Sequence, residues 1–172
     1  MNNHLNTNTR FFEDLLNDPL NHLVETSADQ GKIPIGYTCS YVPDVLLSVD
    51  PLIPIRVRAP GVLGTEIADI YLSSVICSYT RSILEMAMDD RYPFLHGWIF
   101  AASCDHMRRL YDNMKYLHLS DFIHILDVPH RHGDVSVAWY TDELNMLVDK
   151  LSSHHHVQLF AYLSKNNDDS QE

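Results

Sequence analysis

The sequence predicts an α/β fold in which helices flank a parallel β-sheet. Short apolar runs alternate along the chain with segments whose apolar residues recur at helical spacing. The run at residues 97–102 has no polar interruption, as expected for a strand that is covered on both faces. The chain has 172 residues, 45% of them hydrophobic, which suffices for one core of ordinary domain size.

The chain divides into three predicted parts. Residues 1–30 form a tail and a helix; within them, residues 1–10 are rich in Asn and Thr, and we expect them to be disordered or loosely attached. Apolar residues over 11–24 favour a short amphipathic helix that breaks or restarts near its proline. A single α/β domain is predicted over residues 31–163, and a disordered polar tail over residues 164–172.

Extended segments and helices alternate within the domain. The extended segments are residues 33–39, 51–57, 97–102 and 122–129. The prolines of the second segment favour a sheet edge, because proline cannot donate to a ladder. A short helix is expected after Pro43. This alternation is typical of a flavodoxin-like or Rossmann-like three-layer domain.

Helical spacing is clearest in three places. The apolar positions are Ile76, Tyr79, Ile83, Met86 and Ala87 in the first, Met107, Leu110, Tyr111 and Met114 in the second, and Val137, Tyr140, Leu144, Leu147, Val148 and Leu151 in the third. We expect Asp105 to cap the second helix, and Asp134 or Ser136 to cap the third.

Three cysteines lie where extended chain is predicted to turn into helix. Cys39 and Cys77 each begin a Cys-Ser-Tyr tripeptide, and Cys104 follows the apolar run. Because the carboxyl ends of parallel strands meet at one edge of a sheet, we expect the three thiols at that edge, where ligands bind in such folds. A helix N-terminus there favours the thiolate.

The residues alone leave three interpretations of these cysteines open. Thiolates suit a soft metal or an iron–sulfur cluster. A zinc site that also uses a nearby histidine is a second interpretation, although no CxxC or compact zinc pattern is present. Ordinary buried cysteines are the third, since free cysteine is among the most buried residue types.

Other polar groups receive structural interpretations. Consecutive side chains diverge around a helix, so residues 154–156, three histidines in a row, fit a solvated loop or helix cap better than a metal site. His130 and His132 flank a turn near the cysteine edge without an evident acid–base partner. Arg108 and Arg109 fit a basic helix face. No Walker loop, dinucleotide fingerprint or serine-hydrolase elbow is present.

Composition excludes several classes of function. The net charge is −11 and the isoelectric point is about 5.3, so an acidic surface would repel nucleic-acid phosphates. No apolar run is long enough to span a membrane, and the first residues lack the pattern of a signal peptide. Three widely spaced cysteines argue against a disulfide framework, so we expect a cytoplasmic protein.

Four ordered segments together resemble a known family. They are GYTCSYVP at residues 36–43, ICSYTRS at 76–82, SCD followed by RRLYD at 103–112, and LDVP at 126–129. This chain is similar over about residues 30–155 to the first α/β domain of component D subunits of 2-hydroxyacyl-CoA dehydratases and benzoyl-CoA reductases.

The resemblance implies one-electron chemistry on an acyl-CoA thioester through a [4Fe-4S] cluster, with a ketyl radical as intermediate. An ATP-dependent iron–sulfur activator protein supplies the electron, and the assembly also includes a related dehydratase or reductase subunit. Cys77 and Cys104 match two cluster ligands, and Cys39 lies in a turn near the active centre, so it is a further cofactor-binding candidate. The resemblance identifies neither a general acid nor a general base.

Differences from the family pattern favour an alternative. The second α/β domain and its cluster cysteine are missing, so we expect this chain to be incomplete for activity as a lyase or reductase on its own. Val45 stands where the family carries glutamate, and residues 48–50 replace a small Ala-Gly element. The alternative is a truncated, non-catalytic module that binds a partner subunit.

Overall fold

The computed structural model describes residues 3–159, with side chains from residue 9 onward. Helices and strands alternate along this part of the chain after two N-terminal helices. The elements are α1 (Asn3–Asn17), α2 (His22–Asp29), β1 (Ile33–Tyr37), β2 (Leu52–Arg56), α3 (Ser78–Met88), β3 (Trp98–Ala101), α4 (Asp105–Tyr116), β4 (Ile123–Leu126) and α5 (Asp134–His155). Short 3-10 turns lie at Asp44–Leu47, after Pro43 as predicted, and at Ala68–Ile70.

The four strands form one parallel sheet in the order β2-β1-β3-β4. Gly36 of β1 lies beside both Ile55 of β2 and Trp98 of β3, and Trp98 in turn lies beside Ile123 of β4. The proline-bearing strand β2 is at an edge, which confirms the prediction from its prolines. All four strands therefore end on one side of the sheet, here called the carboxyl edge, and begin on the opposite side, here called the amino edge. These two names refer to the ends of the strands and not to the outermost strands.

Two apolar clusters cover the two faces of the sheet, which gives the predicted three layers. Trp98 and Phe100 of β3 face the cluster that contains α3 and α4, whereas Ile99 and Ala101 face the cluster that contains α5. All four residues of β3 are buried, as its uninterrupted apolar run predicts. The buried apolar residues of these three helices are Ile83, Leu84 and Met86 in α3, Met107, Leu110 and Met114 in α4, and Leu147, Val148 and Leu151 in α5.

The predictions for the helix starts need correction. Gly133 is the residue that precedes α5, with a φ of 140° that favours glycine, so Asp134 is already helical and neither it nor Ser136 is the cap. Cys104 precedes α4, so Asp105 is the first residue of the helix rather than its cap. Val137 was expected on the buried face of α5, but it lies in the first turn beyond the core and is 65% exposed.

The N-terminal region is more regular than predicted. Helix α1 begins at Asn3, so the structure is helical from that residue onward within the segment expected to be disordered or loosely attached. The break between α1 and α2 lies around Pro19, as predicted. Arg58 holds the C-terminal end of α1 by donating to the carbonyls of Leu15 and Leu16 at 3.0 and 3.1 Å.

Two further outcomes concern the ends of the chain and the membrane. The predicted tail at residues 164–172 and the predicted domain end at residue 163 lie outside the described residues. Within residues 3–159, no helix is both long enough and apolar enough to cross a bilayer.

Candidate functional site at the carboxyl edge

The three cysteines lie next to elements that end or begin at the carboxyl edge. Cys39 follows β1 by two residues and Cys104 follows β3 by three, and these two strands are parallel neighbours. The ladder between them continues past β1, since the Thr38 amide donates to the Ile99 carbonyl at 3.3 Å. Cys77 immediately precedes α3. Each cysteine thus precedes a helical element on this side of the sheet, as predicted, although Cys77 follows a loop and not the extended segment that was predicted there.

His106 connects the start of α3 to the start of α4. The backbone amide of Cys77 donates to Nδ1 of His106 at 3.2 Å. His106 is the second residue of α4 and lies two residues after Cys104. The backbone of Cys77 is therefore held against the same helical turn that carries Cys104. His106 was not predicted from the sequence, because nothing in the local pattern shows that its partner is a residue 29 positions away.

The surroundings of Cys77 favour its thiolate. Its Sγ lies 3.2 Å from the buried hydroxyl of Thr80. Desolvation raises the pKa of the Cys77 thiol, but hydrogen bonds with the side chain and backbone of Thr80, and interactions with His106, together lower the pKa below its ordinary value. A lowered pKa increases the fraction of the form that attacks electrophiles and binds metals.

The hydroxyl of Tyr79 interacts with two of the cysteines and with the backbone at the carboxyl edge. Its hydroxyl donates to the carbonyl of Val57 at 3.0 Å and to that of Thr38 at 3.3 Å. Burial raises the pKa of Tyr79, and negative charge on Cys39 and on Cys77 raises it further, against an opposing effect of Arg56. Both thiols therefore lie close enough to this hydroxyl to interact with it electrostatically.

The three thiols differ in exposure. Cys77 and Cys104 are exposed, whereas Cys39 is partly buried against the cluster that contains α5. The interpretation as ordinary buried cysteines is therefore wrong for Cys77 and Cys104. All three are free of disulfide bonds.

A buried carboxylate fixes the connection that leads to Cys77. The side chain of Glu85 accepts from the backbone amides of Ala68 at 2.6 Å and Ile67 at 3.3 Å. Because Glu85 lies in α3, these bonds tie the 3-10 turn at Ala68–Ile70 to the helix that begins after Cys77. The long connection between β2 and α3 is thus anchored before it reaches the site.

An ion pair adds a second anchor to the same connection. The guanidinium of Arg81 donates to both carboxylate oxygens of Asp69 and to the Thr65 hydroxyl, each at 2.6 Å. The hydrogen bond from Arg81 is the main reason that the pKa of Asp69 lies below its ordinary value. Arg81 belongs to the segment at residues 76–82, but its place in that motif did not predict this role.

A groove lies at the carboxyl edge, between the segment after β1 and the start of α5. It has a volume of about 360 Å³ and is lined by Tyr41, Val128, Pro129, Arg131, His132, Gly133, Ser136, Val137 and Tyr140. Tyr41 is 59% exposed, and its carbonyl accepts from the Tyr140 hydroxyl at 3.1 Å. His132 therefore lies on the cysteine side of the sheet, as predicted. We call this surface the carboxyl-edge groove.

The run of histidines belongs to the other side of the sheet. His154 and His155 end α5, and His156 follows with a left-handed φ of 56°, which confirms the interpretation as a helix cap. His154 and His155 both contact the ring of Phe122, which immediately precedes β4. These residues are therefore at the amino edge and are no part of the cysteine site.

Metal-binding capacity is incomplete within this part of the chain. Among the described residues, no three or more His, Cys, Asp and Glu side chains are grouped so that they could hold a metal ion. The thiols nevertheless have the right donor chemistry for an iron–sulfur cluster.

Comparison with known proteins relates residues 39–159 to a family described as 2-hydroxyglutaryl-CoA dehydratase, D-component. The chain is 31% identical over 127 residues to one of the subunits of benzoyl-CoA reductase from Thauera aromatica, covering 72% of this chain and 33% of the relative. It is 24% identical over 143 residues to the (R)-phenyllactyl-CoA dehydratase beta subunit of Clostridium sporogenes, covering 81% of this chain and 37% of the relative. The matches therefore span about a third of the length of these relatives.

Proposed function

Because the chain belongs to the 2-hydroxyglutaryl-CoA dehydratase D-component family, we propose that it acts as the first α/β domain of a subunit for one-electron chemistry on acyl-CoA thioesters. Its contribution is cysteine ligands for a [4Fe-4S] cluster in a larger assembly. The partners are an ATP-dependent iron–sulfur activator and a related dehydratase or reductase subunit. Three free cysteines support a reducing compartment, the cytoplasm.

The hydrogen bond from the Cys77 amide to His106 is the observation that carries this proposal. It holds the backbone of one exposed cysteine against the helical turn that begins after the other, Cys104. We assign Cys77 and Cys104 as two cluster ligands and Cys39 as a third candidate. Because no three donors are grouped among the described residues, a complete cluster needs at least one ligand from outside this part of the chain, whether or not Cys39 joins the other two.

The chain's own residues would support the site in two ways. The Thr80 hydroxyl stabilises the Cys77 thiolate, while Glu85 and Arg81 hold the connection that delivers Cys77. A bound cluster supplies a low-potential electron for the thioester, and the protein sets its position and surroundings.

Anaerobic reconstitution with iron and sulfide tests the proposal. With a small thiol added to supply the ligands that the chain lacks, we expect the wild-type chain to retain iron and sulfide and, once reduced, to give an electron paramagnetic resonance signal. The double variant Cys77→Ala/Cys104→Ala should lose both, and Cys39→Ala alone decides whether the third thiol is a ligand. Iron content that is negligible in the wild type, or equal in wild type and double variant, would contradict the proposal. Stoichiometric zinc in aerobically purified protein would favour a zinc site instead.

A second function, binding of a partner subunit without catalysis, is favoured by the carboxyl-edge groove. Tyr41 and Val137 line it and expose apolar surface at the carboxyl edge. A related full-length subunit should co-purify with the wild-type chain, and Val137→Asp should weaken that association. An isolated monomer that turns over an acyl-CoA thioester would exclude a purely structural role.

A further inference from the structure

We propose that His106 is a positioning residue that sets the placement of Cys77 relative to Cys104. This inference rests on the proposed function, in which these two thiols act together. It concerns a side chain to which neither the sequence motifs nor the family comparison assigns a role. His106 is partly buried in the first turn of α4, where its ring faces the start of α3.

The hydrogen bond involves a backbone amide that the helix cannot satisfy. Cys77 precedes the first residue of α3, and its carbonyl accepts the first helical bond, from the Arg81 amide at 3.2 Å. The Cys77 amide lies outside that ladder, as the first amides of every helix do. Nδ1 of His106 provides its acceptor at 3.2 Å.

This contact adds a direct hydrogen bond between the starts of two helices that otherwise meet through the apolar packing of their buried faces. Cys104 follows the buried strand β3 by three residues, so the sheet restricts its position. Cys77 instead comes at the end of the connection over residues 57–77, whose anchors at Ala68 and Asp69 lie several residues earlier. His106 is the contact between the backbone of Cys77 and the turn that carries Cys104. Its loss should let the start of α3 move relative to the start of α4.

The geometry of the hydrogen bond from the Cys77 amide specifies which substitutions of His106 preserve it. An asparagine at this position carries its amide oxygen at the same branch point as Nδ1, so it can accept from the Cys77 amide. Glutamine places its oxygen one bond further out, and leucine has a similar branched shape without an acceptor. His106→Asn should therefore retain the contact, whereas His106→Leu and His106→Gln should lose it.

Two measurements on the metal-free chain test the inference. Amide hydrogen exchange reports the hydrogen bond directly, and we expect exchange at Cys77 to be about tenfold faster in His106→Leu and His106→Gln than in the wild type. Exchange at Val42, whose amide bonds to the Cys39 carbonyl at 3.0 Å, serves as the internal reference. His130→Leu, at an exposed loop position, is the matched control.

A short bifunctional thiol reagent reports the relative placement of the two cysteines. The yield of the Cys77–Cys104 cross-link should fall in His106→Leu and His106→Gln and return to near the wild-type value in His106→Asn. Equal exchange and equal cross-linking in all four proteins would overturn the inference, as would a failure of asparagine to restore them. Neither measurement depends on iron binding. If exchange and cross-linking behave as expected but cluster reconstitution fails, the proposed function is rejected and the role of His106 is not.

Discussion

The two edges of the sheet carry different titratable groups in different electrostatic settings. At the carboxyl edge, α3 and α4 begin beside exposed Cys77 and Cys104. At the amino edge, helices end, and a cavity of about 480 Å³ is lined by residues that include His96, His118 and His155. Helix starts favour anions and helix ends favour cations, so the dipoles alone predict easily ionised thiols and easily protonated imidazoles.

The expectation holds for Cys77 and fails for His155. The pKa of Cys77 is lowered, because hydrogen bonds with Thr80 and interactions with His106 outweigh desolvation. The pKa of His155 is also lowered, to about 4, mainly because burial disfavours the charged ring and then because His154, His96 and His156 surround it. A helix end contributes roughly 1 kcal/mol, which burial can exceed. Local contacts and desolvation therefore decide ionisation at both edges.

Glu85→Ala should produce the largest effect, because it removes the anchor behind the carboxyl edge. Two backbone amides lose a buried charged acceptor, so we expect the free energy of unfolding to fall by about 3 kcal/mol. Urea denaturation measures this. Glu143→Ala is the matched control, since that carboxylate accepts one amide, from Asp127 at 3.1 Å, and should cost about 1 kcal/mol. Equal losses of unfolding free energy in the two variants would show that Glu85 stabilises the fold no more than a carboxylate that accepts one amide.

His124→Leu tests how strongly burial controls imidazoles on the amino side. Burial, followed by the positive charge of Lys150, lowers the pKa of His124 to about 4 from its ordinary 6.5. As the pH falls, His124 is therefore protonated in the unfolded chain before it is protonated in the folded chain. The folded state loses stability relative to the unfolded state as the pH falls from about 6.5 towards 4. At pH 5 this effect lowers the free energy of unfolding by about 2 kcal/mol relative to its value at neutral pH.

The expected result is a difference in unfolding free energy between pH 7 and pH 5 that shrinks by about 2 kcal/mol in His124→Leu. Denaturation at the two pH values measures it. The exposed His130, replaced by Leu, should leave that difference unchanged. An acid sensitivity that is identical in His124→Leu and wild type would assign the effect to other groups.

Thr80→Val should produce the smallest effect, confined to the reactivity of one thiol. Valine keeps the shape of this fully buried side chain but loses the hydroxyl that lies 3.2 Å from Cys77 Sγ. We expect the pKa of Cys77 to rise and its alkylation near neutral pH to slow by about fivefold, measured by peptide mass spectrometry. Thr141→Val, on the exposed face of α5, is the control. An unchanged rate of alkylation would show that the Thr80 hydroxyl does not stabilise the Cys77 thiolate.

Local pattern predicted most of the architecture, and the exceptions have physical causes. The spacing of Met107, Leu110 and Met114 identified the buried face of α4 because each pair lies one turn apart. Val137 continues the same pattern in α5, but it lies where the helix lines the carboxyl-edge groove and is 65% exposed. Gly133 was not expected to precede α5, because its left-handed backbone depends on how the loop after β4 enters the helix.

By itself, the sequence determined the order of strands and helices, the family, and the placement of all three cysteines at turns into helices. These properties depend on residues that are neighbours along the chain or one helical turn apart. Only the tertiary structure decided that Cys77 and Cys104 are exposed and that His106 accepts from the Cys77 amide. Those facts depend on how α3 and α4 pack against the sheet, and packing brings together residues that no local spacing relates.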